Sequence, residues 1–79
     1  MKITVFVMNM KFAVKLELGL LEQTYKLRES EKITGLEDVQ RLIDQPFLDA
    51  CMERFAVMGD DLLAAYGRDS VRWLRITND

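Results

Sequence analysis

Between Phe12 and Leu20 every even position is apolar (Phe12, Val14, Leu16, Leu18, Leu20), while Lys11, Ala13, Lys15, Glu17 and Gly19 hold the odd ones. A repeat of two residues marks a strand with one face on a core, because successive side chains point to opposite sides of the pleat. Leu, Glu and Lys also favour helix. Wound at about 100° per residue, however, the apolar residues from Phe12 to Leu27 scatter around the whole cylinder and leave no core stripe. The strand reading prevails. From Glu22 the parity reverses: Glu22, Thr24, Lys26 and Arg28 are polar, and Tyr25 and Leu27 take odd positions. A period of two has to be reset somewhere, which places a turn at Gly19 to Leu21. Upstream, Ile3, Val5 and Val7 alternate with Lys2, Thr4, Phe6 and Met8 until Asn9-Met10. Both faces turn apolar at Phe6 and Met8, as in a central strand or one covered on its second face. The expectation is a meander with strands at about 2–8, 11–18 and 23–29.

Beyond the polar run Arg28-Glu29-Ser30-Glu31-Lys32 the period changes. Thr34 and Glu37 have capping-box spacing, in which hydroxyl and carboxylate each satisfy a free N–H at a helix start. Leu36, Val39, Leu42 and Ile43 then line one face, and Glu37 with Arg41 makes an i,i+4 pair. Pro46 ends this helix near Asp44 and suits the first turn of the next. In that second helix Phe47, Leu48, Cys51, Met52, Phe55 and Met58 recur at three- and four-residue spacing. Gly59 reads as its stop or bend, with Asp60 capping a short third helix to Gly67. The tail, Val71 to Thr77, reads as a last strand or a helix started by Asp69 or Ser70, and Val71, Trp73 and Ile76 lean it toward strand. The fold expected is α+β, β-β-β-α-α-(α)-β, with an antiparallel three- to four-stranded sheet and two or three helices packed on one face. As one small domain, 1–79, it divides into a β-meander at 1–30, a helical segment at 34–67 and a C-terminal strand at 70–77.

Composition narrows the function classes. At 79 residues with 49% hydrophobic and 30% charged content, the chain is one ordinary globular domain and not a solvated tail. A single cysteine, Cys51, excludes an internal disulfide. No stretch approaches the roughly 20 apolar residues of a membrane span, and Ile3 to Met8 is too short for a signal-peptide core. A soluble, cytoplasmic protein is expected. A domain this small has a net stability on the order of 4–12 kcal/mol, so association with a partner is a ready source of more.

Catalytic chemistry finds little to use. The chain has no histidine, the usual acid–base group near neutral pH, and neither a GxxxxGK nor a GxGxxG turn. Cys51, between Leu48, Met52 and Phe55 on an apolar stripe, reads as a small core residue, not a nucleophile. Asp49, Glu53, Asp60 and Asp61 supply oxygen ligands but no calcium-loop alternation, and no second Cys or His supports zinc. Neither an enzyme, nor a cofactor, nor a metal site is expected.

Charge is segregated instead. Between Glu37 and Asp61 seven acids face only Arg41 and Arg54, a balance of −5 against −2 for the whole chain. This makes an acidic helical face of Glu37, Asp38, Asp49, Glu53, Asp60 and Asp61 the candidate partner-binding surface, steering toward a basic patch on another protein. The competing reading is plain solvated helix. Arg68, Arg72, Trp73 and Arg75 form the alternative, nucleic-acid-binding cluster, since arginines grip phosphates and an indole stacks on a base. An isoelectric point near 5.1 counts against general nucleic-acid affinity. Five methionines and four phenylalanines exceed what one small sheet and two helices easily hide, which raises homodimerisation through a strand or helix face. The function expected is a small binding protein that regulates or inhibits a larger partner, of the size class that phages and mobile elements encode. The alternatives are a nucleic-acid-binding regulator and a self-assembling structural subunit.

Overall fold

The computed structural model of the chain describes residues 1–9 and 11–68. Its elements run β1 (Lys2–Met8), β2 (Lys11–Leu18), β3 (Leu21–Arg28), α1 (Leu36–Leu42) and α2 (Gln45–Tyr66). The strands form one antiparallel sheet in chain order, β1-β2-β3. Both helices contribute to a single core against it, so the architecture is α+β. The strand proposed at 70–77 lies outside the described residues.

Two tight turns set the register. Gly19, at φ +60°, and Leu20 join β2 to β3; a glycine at positive φ in a two-residue hairpin matches the twist of the flanking strands. Asn9, at φ +30°, opens the other turn, and asparagine tolerates that region better than most residues. The parity reset at Gly19–Leu20 puts Phe12 opposite Leu27, Val14 opposite Tyr25, Leu16 opposite Gln23 and Leu18 opposite Leu21. On the other side Val7 meets Phe12, Val5 meets Val14 and Ile3 meets Leu16. All of these share the helix-facing side. β3 starts two residues before its expected position, because a two-residue turn leaves Leu21 free to pair.

The core holds Phe12, Val14, Leu16, Ile33, Val39, Cys51 and Phe55, with Val5, Leu18, Leu21, Ile43, Phe47, Leu48 and Met58 packed around it. Burying side chains of this kind contributes roughly 1.5–3 kcal/mol apiece. Ile33 is held by a reciprocal pair of backbone hydrogen bonds with Ser30, which pins the polar connection to the sheet. Only Val39 of α1 is fully buried; Leu36 and Leu42, expected on the same face, stay about half exposed because a two-turn helix at the rim reaches the core at one position.

Two helix boundaries differ from expectation. Thr34 and Glu37 do not form a capping box. Both the amide and the hydroxyl of Thr34 donate to Asp38 Oδ2, at 2.8 and 2.7 Å, and Arg41 pairs with Asp38 at 3.2 Å instead of with Glu37. Nor does Gly59 stop a helix. α2 continues for 22 residues, capped by Asp44, which accepts from the Phe47 amide at 3.0 Å, and ends at Gly67. Gly59 lies over Leu21 with room for a methyl group. The good helix formers Leu62, Leu63, Ala64 and Ala65 propagate the helix past it.

Candidate functional site

Polar contacts between the sheet and α2 decide which charges of the helix remain free. Gln23 is buried on β3, and its Nε2 donates to the Cys51 carbonyl at 2.8 Å. Its Oε1 accepts from the Tyr25 hydroxyl at 2.8 Å and from Arg54 Nη1 at 3.2 Å. Arg54 Nη1 also donates to Tyr25 Oη at 2.8 Å. Tyr25 stacks edge-on against Phe47, with ring centroids 5.2 Å apart. Burial raises the Tyr25 hydroxyl above its ordinary pKa; the neighbouring Cys51 thiol adds to the shift and the Arg54 guanidinium opposes it. Hydrogen bonds to polar partners at a largely apolar interface fix one orientation of α2 on the sheet.

The solvent side of α2 is built by helix arithmetic. At about 100° per residue, Asp49, Glu53 and Asp60 fall within about 40° of one another, opposite Cys51 and Phe55. They form a ridge about 16 Å long. All three are exposed. Only Asp49 has a partner among the described residues, accepting from Gln45 Nε2 at 2.7 Å. Asp61 is exposed but about 100° away from the ridge. Glu37 is exposed on α1. Asp38 is spent on the fold: the Thr34 hydroxyl, then the Thr34 amide, hold its carboxyl below the ordinary pKa. Of the six acids, Asp49, Glu53 and Asp60 form the ridge, Glu37 is exposed on α1, Asp61 is exposed on another side of α2, and Asp38 accepts from Thr34 in the loop before α1.

The two bases of the helical segment are both turned from the ridge. Arg54 folds back onto Tyr25 and Gln23, and Arg41 pairs with Asp38. Met52, 43% exposed, flanks the ridge. Elsewhere, the outer face of the sheet carries Lys2, Lys11, Lys15, Lys26 and Arg28 against Glu17 and Glu22, with Lys15 and Glu22 paired at 3.7 Å. An apolar cavity of about 190 Å³ opens where Leu42, Ile43 and Phe47 meet Val14, Tyr25 and Leu27.

Cys51 is fully buried, its thiol 3.9 Å from the Tyr25 hydroxyl. Among the described residues no three His, Cys, Asp or Glu side chains converge to hold a metal ion, and no helix is long and apolar enough to cross a membrane. Of the alternative cluster, Arg68 is exposed just past the end of α2; Arg72, Trp73 and Arg75 lie outside the described residues. The role of Gln23, Tyr25 and Arg54 was not anticipated. The available signal was the odd parity of Gln23, which it shares with Tyr25 and Leu27 on the helix-facing side. Compared with known proteins, the chain matches no family, no curated protein and no solved structure.

Proposed function

We propose that this protein is a non-enzymatic binding protein that regulates or inhibits a larger macromolecular partner by occupying a basic surface on it. The carrying observation is that Asp49, Glu53 and Asp60 line one rigid helical ridge while both nearby arginines are engaged elsewhere. A row of like charge on a packed helix steers encounter with an opposite patch and sets orientation. Exposed Met52 beside it supplies an adaptable apolar contact. The reading centres on the ridge, because Asp38 is already held by Thr34 and Arg41; Glu37 and Asp61, both exposed, remain candidate contacts beside it.

The test is retention of a partner from lysate at low and high salt, with the chain and its Asp49→Lys/Glu53→Lys/Asp60→Lys variant as baits. The reading expects one partner at low salt, lost on adding salt and lost by the variant while helix content is unchanged. Retention indifferent to the charge reversal refutes it. A gel shift with single-stranded nucleic acid that weakens in Arg68→Ala/Arg72→Ala/Arg75→Ala would favour the nucleic-acid reading instead.

A further inference from the structure

Among the described residues β1 is an edge strand, and its exposed surface is largely apolar. Ile3 is 40% exposed, Phe6 44%, Val7 64% and Met8 51%. The only charge in the strand is Lys2, its first residue. The other edge is different: α2 packs on the inner side of β3, and its outer side alternates Glu22, Thr24, Lys26 and Arg28. Natural edges are blunted by charge, proline or a bulge. From Ile3 to Met8 there is no charge and no proline, and the pairing with β2 is unbroken.

We propose that β1 pairs antiparallel with β1 of a second copy of this chain, about a two-fold axis through Val5. This goes beyond the partner-binding reading and stands or falls independently of it. Centred on Val5, the pairing uses all seven residues of the strand; moving the axis by one residue either way leaves two of them unpaired. Val5 meets its own counterpart, Ile3 meets Val7, Thr4 meets Phe6 and Lys2 meets Met8. No like charges oppose one another, and two Ile3–Val7 contacts flank a Val5–Val5 contact, the β-branched pairs that stabilise neighbouring strands.

Facing positions share parity, so Ile3, Val5 and Val7 of both copies stay on the helix side. Val5 already packs against the core, and the two cores become one apolar row across a six-stranded sheet. Phe6 and Met8 of both copies gather on the other side. Two edge strands disappear in the assembly, and the same surface serves both subunits, as closed two-fold association requires. Both α2 helices then stand on one side of the sheet.

Sedimentation equilibrium of the full chain over a concentration series tests this. The expected result is a concentration-dependent rise to twice the 9.2 kDa chain mass. Thr4→Lys/Phe6→Lys sets lysine against lysine in both facing pairs and should yield a monomer with unchanged circular dichroism. Thr4→Glu/Phe6→Lys sets acid against base in this register and should keep the dimer. A concentration-independent monomer for the unaltered chain overturns the proposal. So does a dimer indifferent to Thr4→Lys/Phe6→Lys, or a folded Thr4→Glu/Phe6→Lys variant that is monomeric.

Discussion

The same substitution, glycine to alanine, should act with opposite sign at two places in this fold. Gly59 lies inside α2, at negative φ, and an added Cβ would meet only Leu21 Cδ1 at 3.9 Å, an ordinary contact distance. The gain is then the helix-propensity difference, about 0.8–1.0 kcal/mol. For a domain of this size that is a rise in Tm of about 4–8 °C. Gly19 has as much space, with nothing within 4 Å, but sits at φ +60°. There alanine carries the left-handed penalty of about 1–2 kcal/mol and Tm should fall. Thermal melts by circular dichroism on the two single variants read both signs. Because neither site is sterically crowded, the difference isolates backbone conformation. If Gly59→Ala lowers Tm, α2 needs flexibility at that point and the continuous helix is the wrong description.

Two further outcomes follow from the polar contacts. Gln23→Leu removes the donor to the Cys51 carbonyl and the acceptor for Tyr25 and Arg54; a loss of about 1–2 kcal/mol in urea unfolding is expected, and an unchanged midpoint would show that the bonds contribute no net stability. For Asp38 the folded carboxyl titrates below its ordinary 3.8, so its stabilisation is present above that value and disappears as pH falls through the lowered folded value. Asp38→Asn should therefore flatten the fall of Tm in acid below pH 3.8, a difference visible by comparing melts of the variant and the unaltered chain.

Much of the fold was legible because it rests on short-range periodicity. Alternation in β2, its reversal after Gly19 and the three- and four-residue spacing around Cys51 and Phe55 each locate an element without long-range information. The helix boundaries were less legible. Gly59 on its own propensity is punctuation, but the helix formers after it outweigh that and α2 runs on to Tyr66. At α1, Thr34 found Asp38 one residue beyond the expected Glu37, since the loop pinned by Ile33 brings the side chains together. The acidic surface was visible as composition but not as geometry. Helical spacing alone keeps Arg54 off the ridge, but its pairing with Gln23 and Tyr25, some thirty residues away in the chain, is one that no local pattern encodes.

The meander also shapes how the chain reaches its native state. Each strand pairs with the one next to it in sequence through a tight turn, so both hairpins close over short loops at little entropic expense. The demanding step is bringing Cys51 to Gln23, 28 residues apart. A mixed sheet-and-helix chain with neighbouring strands paired and one such closure falls between the fast helical bundles and the slow barrels of non-local pairing in expected folding speed.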